Sequence, residues 1–409
     1  MRAALVLALV FGTVSWAPGL AARAAAQPEP AESVTLRELL EVVRERSPAA
    51  RAIRARADVA DADVDLAGVY PNPSLGYQFM GRFDGSNQAI NGSQHTAWLE
   101  VPLLVASQHD ARRAAAAGDA RAARADEEVE LLALEVRARR AFVSLLAAQD
   151  RVARLAAARR ELDAIRGIVE GRAEAGAQSQ YDGARVRLEI SRVDAQLASA
   201  RADVTAARAA IAALVGRPAW LPRAEGSLES LRAQIPRPEE LPAVRAMRLR
   251  TEAARLDVER TERERVPEIS VGLGTYLTSD PDSASVYAGI SVPLPIFDTG
   301  DAAVRRARAA RDAAADAEAA VSTEARALLA GRVAALRERR AALARFDADT
   351  LARLPEIQQM AEASYRLGAS GVFELLDTFR TRFELELQRI ELLVDVIESE
   401  TDVIALVGR

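Results

Sequence analysis

Glu374 and Asp377 stand three residues apart, a spacing that places both carboxylates on one face of a helix. Such a pair attracts cations; on an isolated helix it is equally an ordinary solvated face. Other side chains able to do chemistry are scarce. The chain has no Cys, which excludes thiolate metal sites, a disulfide framework and a lipidated N-terminal Cys. His95, His109 and four Met are the remaining soft or borderline donors, too few for a buried transition-metal centre. No Gly-x-Ser-x-Gly elbow, phosphate loop or His-Glu-x-x-His occurs. The expectation is a protein that is not an enzyme and holds no cofactor or resident metal.

The carboxylate pair follows a glycine turn, Leu367-Gly368-Ala369, and that turn has a twin at Ala175-Gly176-Ala177. Each opens a helix with the same ending, Ala213-Leu214-Val215-Gly216-Arg217 in one case and Ala405-Leu406-Val407-Gly408-Arg409 in the other. Both ends are offset by 192 residues, so the segments align without a gap. Upstream, Val101-Pro102-Leu103 matches Val292-Pro293-Leu294, and Pro71 through Gly76 matches Pro267 through Gly272. The hairpin loop of the first copy is the longer, around Arg82 to Ser93. The chain therefore reads as one unit written twice. The copies span 27–217 and 243–409, joined by a Pro-rich connector at 218–242.

Each copy has the order helix, two strands, very long helix, tight turn, long helix. Leu36 to Val69 reads as helix broken near Pro48. Period-two alternation marks strands at Leu75 to Met80 and Thr96 to Val101, giving hairpin 75–101; the second copy repeats this at 268–293. Helical hairpins follow at 107–215 and 301–407. Ser107 to Arg172 and Asp301 to Arg366 are predicted as rods of roughly 100 Å each. The partner helix carries a heptad, Val186, Ile190, Val193, Leu197, Ala200, Val204, Ala207, Ile211 and Leu214. Its counterpart has two apolar stripes, which suit a helix with neighbours on both sides or an ordinary buried helix. The fold class is mainly α with a small β part.

Arg2, the apolar run Ala3 to Trp16 and Ala24-Ala25-Ala26 read as a signal peptide, residues 1–26. A membrane anchor is the alternative, but Gly12, Pro18 and Arg23 interrupt the run. No later stretch approaches the ~20 apolar residues of a spanning helix. Any membrane crossing must then use strands, and four cannot close a barrel. Either they form a soluble patch or several chains contribute four each; three chains give twelve strands and room for a lumen. Tyr77 and Trp98 are the candidate membrane-interface aromatics. A net charge of −5 leaves no electrostatic footprint for nucleic acid.

Over nearly its whole mature length this pattern resembles the TolC-type outer-membrane efflux family. Tyr70-Pro71-Asn72-Pro73 and Val292-Pro293-Leu294-Pro295-Ile296-Phe297-Asp298 look most like its heavy-metal branch, the CzcC-like subunits. The resemblance implies a homotrimer with a twelve-stranded outer-membrane barrel and a periplasmic helical tunnel. Its implied partners are a periplasmic membrane-fusion adaptor and an inner-membrane pump of the resistance-nodulation-division (RND) class. It implies export of substrate, divalent heavy-metal cations by branch; drug or protein export is the alternative, followed by a periplasmic coiled-coil adaptor or a structural protein. Glu374 and Asp377 would form stacked acidic rings at the periplasmic gate. Gly176, Ala177, Gly368 and Ala369 would meet the adaptor. Asp182 and Tyr365 resemble a gate latch whose expected arginine is Ser370 here, with Arg366 as a substitute from another direction.

Overall fold

A computed structural model describes residues 32–81, 93–174, 180–233, 240–279 and 282–408. The expected signal peptide, most of the first hairpin loop and the turn with Gly176 and Ala177 lie outside these residues.

A short strand β1 (Ser33–Val34) leads into α1 (Leu36–Arg46), which begins at a capping box. There the Glu38 N–H donates to Thr35 Oγ1 at 3.3 Å and the Thr35 N–H donates to Glu38 Oε2 at 2.9 Å. Helix α2 (Pro48–Ala67) restarts after Ser47, whose Oγ accepts from the Ala50 N–H at 3.0 Å. Proline has no N–H to lose in a first turn, so the break falls at Pro48 as the sequence predicts. Strands β2 (Ser74–Gly81) and β3 (Ser93–Leu103) follow, then α3 (Gln108–Glu174) and α4 (Gln180–Val215). In the connector, β4 (Arg223–Ala224) pairs in parallel with β1. The second copy comprises α5 (Pro242–Arg263), β5 (Ile269–Ser279), β6 (Asp282–Ser291), α6 (Asp301–Arg345), α7 (Leu354–Arg366) and α8 (Val372–Val407).

One expectation needs correction. The second rod is not continuous from 301 to 366: a π turn at Phe346–Thr350 and a 3₁₀ turn at Leu351–Arg353 separate α6 from α7. Pro355 supplies the reason, since it cannot donate to the carbonyl four residues back and its ring crowds that carbonyl. The helix yields in the turns just before it.

Two buried clusters hold the helices together. One gathers Leu39, Val43, Leu134, Phe142, Ile211, Leu343, Val396, Ile397 and Val403, joining both copies at the level of the connector. The other lies towards the tight turns and contains Leu155, Leu162, Val169, Val186, Val193, Tyr365, Leu375, Leu376, Phe379 and Phe383. The α4 heptad thus runs through both clusters, which is why a single apolar seam persists along the helix. Among the described residues no helix is long and apolar enough to cross a membrane.

The four long strands form one antiparallel sheet in the order β2-β3-β5-β6. Its register puts Leu75, Tyr77, Phe79, Leu99, Leu273, Leu277, Val286 and Ile290 on one face, largely exposed. The other face carries Ser74, Gln78, Thr96, Glu100, Ser270, Thr278 and Ser285 among small and aromatic residues. An exposed apolar face on a sheet needs something other than water against it.

Candidate conduit surfaces and the second helical turn

The turn between α7 and α8 closes in a Schellman arrangement. The Gly368 N–H donates to Tyr365 O and the Ala369 N–H donates to Ser364 O, each at 3.0 Å. Gly368 sits at φ +76°, a conformation that a Cβ would strain. Helix α8 begins after Gly371, so Glu374 falls in its first turn, where a carboxylate also favours the positive end of the helix.

Glu374 and Asp377 are both exposed, while Leu375, Leu376 and Phe379 between and beyond them are buried in the second cluster. The two acids share the face turned away from that cluster. Three-residue spacing on a helix with one buried side produces this division directly.

The latch candidates are spread over different surroundings. Tyr365 is only 1% exposed and packs inside the cluster. Arg366 is exposed and lies 3.9 Å from Glu362 on its own helix. Asp182 stands in the first turn of α4, half-buried. The Oγ of Ser370 is buried and has no hydrogen-bond partner. Arg185, one turn beyond Asp182, lies 5.0 Å from the Phe373 ring centre and 5.6 Å from that of Tyr181, tying the start of α4 to the start of α8.

Above the turn lies a set of ionic ties that sequence reasoning missed. Glu189 of α4 is nearly buried and accepts from Arg380 of α8 at 2.6 Å and from Arg192 at 3.3 Å. Arg192 also meets Glu384 at 2.9 Å. Arg382 bonds Glu161 of α3, and Gln358 of α7 donates to the same carboxylate at 2.9 Å. Burial pushes the Glu161 carboxyl above its usual range, against the pull of Arg382. One of these pairs had a signal: Arg192 and Glu384 occupy equivalent positions of the two copies and carry opposite charges.

On the sheet, Tyr77 and Trp98 stand on opposite faces. Tyr77 is opposite Ala97, whereas Trp98 is opposite both Gly76 and Gly274. The two aromatics expected at the membrane interface are thus separated, Tyr77 on the apolar face and Trp98 on the polar one. Trp98 packs flat on the polar face, because a Cβ at Gly76 would overlap its ring. Tyr287 is seated likewise over Gly274. Tyr77 Oη lies 2.7 Å from His95 Nδ1, and the Phe79 and His95 ring centres are 5.0 Å apart, so His95 is a packing partner on the apolar face. His109 Nε2 contacts Gly68 O at 2.9 Å, joining α3 to the end of α2. Among the described residues no group of three acidic or His side chains could hold a metal ion.

Comparison with known proteins identifies the family of this fold. The family described as Outer membrane efflux protein matches residues 39–217 and 239–409. A similar curated protein is the cobalt-zinc-cadmium resistance protein CzcC of Cupriavidus metallidurans, 26% identical over 86% of this chain and 84% of its own length. Crystal structures of CusC, described with its folding and transmembrane channel formation, superpose with a TM-score of 0.76 at 16% identity, covering 91% of this chain and 92% of that one. The outer membrane protein VceC of Vibrio cholerae gives 0.71 at 17% identity, covering 91% and 96%.

Proposed function

This chain belongs to the outer membrane efflux protein family, whose members are channels and not enzymes, and we propose that it is the outer-membrane duct of a three-part efflux system. The observation that carries this reading is the sheet: one apolar exposed face, one polar face, and two open edges, mounted on two helical hairpins. Lipid satisfies the apolar face, and only closure with other copies removes the edges. Three copies give a twelve-stranded barrel around the polar face, with helices continuing the conduit into the periplasm.

The working partners are a periplasmic adaptor, meeting the turns at Gly176-Ala177 and Gly368-Ala369, and an inner-membrane RND pump. Glu374 and Asp377, repeated three times, form stacked acidic rings at the periplasmic opening. Such rings favour cations over anions. Asp182, Tyr365 and Arg366 are the residues proposed to hold that opening shut.

Divalent metal cations are the cargo this reading favours, supported by the likeness to CzcC and by the acidic turn. Deleting the gene in a host that retains the cognate pump tests it. Zinc, cobalt or cadmium should then inhibit growth at lower concentrations. Unchanged metal tolerance with new sensitivity to dyes or antibiotics would instead make it a drug duct of the same fold.

A further inference from the structure

The aromatic residues on the polar face of the sheet are Trp98, Tyr276 and Tyr287. Gly76, Trp98, Gly274 and Tyr287 stand opposite one another in turn, one rung across all four strands that alternates glycine with a ring. A Cβ at Gly76 would overlap the Trp98 ring, and one at Gly274 would come 2.5 Å from Tyr287 Cζ. Neither glycine has a positive φ, so each supplies room rather than backbone freedom. Gly274 is buried under its ring although it belongs to an open face. Tyr276, two residues along, leans on Tyr287 with ring centres 6.4 Å apart.

Covering a glycine can brace a strand, because glycine has no side chain of its own to pack. That general benefit does not explain where the rings are. The next rung sets Gly272 opposite Gly289 and leaves both bare. A Cβ at Gly289 meets nothing within 4 Å, and one at Gly272 meets only carbonyl oxygens at 3.8 and 3.9 Å. In the sequence repeat Gly76 corresponds to Gly272 and Trp98 to Gly289, so the second copy has two glycines where the first has a glycine and its ring. The covered glycine of the second copy is Gly274 instead, and that shift brings Tyr287 onto the rung of Trp98.

Resting on the duct reading, which turns the polar face to the lumen, we infer that Gly76 and Gly274 are seats that set the bore of the barrel by holding Trp98 and Tyr287 flat against its wall. Three copies put six such rings at one height. A side chain placed in either seat tips its ring off the wall, and three rings then swing inward together. Such a narrowing excludes large solutes before small ions. The two glycines therefore determine the size of cargo that leaves through the barrel.

Polymer exclusion reads the bore. Polyethylene glycols of graded size, added only to the extracellular side of a planar bilayer, lower single-channel conductance as long as they fit the barrel, whatever the width of the periplasmic end. Gly76→Val and Gly274→Val should shift the size limit to smaller polymers, whereas Gly289→Val should leave it in place. Trp98→Ala added to Gly76→Val should restore the limit. Gly76→Ala is the milder variant should valine prevent folding. Beyond the expected signal peptide the tryptophans are Trp98 and Trp220. Increased acrylamide quenching in Gly76→Ala but not in Gly289→Ala should therefore report Trp98 leaving the wall. Equal shifts from Gly76→Val and Gly289→Val, or a lower melting temperature with an unmoved size limit, would overturn the seats and leave the duct reading intact. Quenching of Trp98 by bromine-labelled lipid tails, or no conducting channel from the unaltered chain, would overturn both.

Discussion

Two rods built on the same plan end differently. In the first copy α3 runs unbroken from Gln108 to Glu174, while in the second α6 stops at Arg345 and the chain passes through π and 3₁₀ turns before α7. Counting back from the turn glycines Gly368 and Gly176, the first copy has Asp163 where the second has Pro355, and Asp163 pairs with Arg159 and Arg166 on its own helix. One copy thus places a helix-supporting ion pair where the other places a helix breaker. The break is held from outside by Arg389 of α8, which meets Asp347 and Glu229 at 2.8 Å each. Duplication preserved the topology and the strand register, and single residues then gave the second rod a break in its α-helix that the first lacks. Helix α7 is the segment beyond the break, and its Tyr365 lies in the buried cluster with Leu375 and Phe379 of α8.

The sharpest break in that comparison removes the packing that keeps α7 and α8 together. Phe379 is 3% exposed and stacks on Phe383 with centroids 6.3 Å apart. Phe379→Ala should cost about 3–5 kcal/mol locally, from lost burial and the cavity left behind. Hydrogen exchange should then rise in 354–383 while the strands keep their protection. Uniform exchange across both hairpins would mean that the tip and the sheet melt as one unit.

A smaller change asks whether the break belongs to Pro355 or to the Arg389 clamp. Pro355→Ala restores a donor, a gain of about 0.5–1.5 kcal/mol. It also loosens the unfolded chain, a loss of about 0.4–1 kcal/mol, so net stability should scarcely move. Spin labels on α6 and α7 should nevertheless report a changed separation if the proline causes the break. An unchanged distance would assign the break to Arg389, Asp347 and Glu229.

Most of this architecture is legible in the residues. Pro48 marks a break, the heptad from Val186 to Leu214 marks a seam, and alternation at Leu75 to Met80 marks a strand. Each is a local pattern with a local cause. Isolated Pro355 was harder, because a proline inside a long helical pattern can kink, break or sit in a first turn, and packing decides among these. The opposite facing of Tyr77 and Trp98 depends on cross-strand register, which each strand's pattern does not state by itself. Glu189 and Arg380 meet only because α4 and α8 lie side by side at one height. At the second turn, exposure of Glu374 and Asp377 followed from their phase against Leu375, Leu376 and Phe379.

The finest test of the two halves uses that phase. Positions equivalent to Glu374 and Asp377 in the first copy are Asp182 and Arg185, so the first turn is balanced in charge where the second carries two acids. Arg185 is moreover engaged with Phe373 and Tyr181. If the acids of the second turn ring the conduit, Glu374→Gln with Asp377→Asn removes six negative charges from a trimer while preserving size. The melting temperature should hold, because both side chains are exposed and face away from the buried cluster. Single-channel recordings should show weaker cation preference and relief from block by a trivalent cation, since closely spaced charges in a confined opening act more strongly than on an open surface. Asp182→Asn, which alters the balanced turn, should change block less than the double substitution does. Equal effects at the two turns would place both in the conduit and erase the functional difference between the halves. No effect at either would leave the acids as a solvated helix face and move the constriction elsewhere.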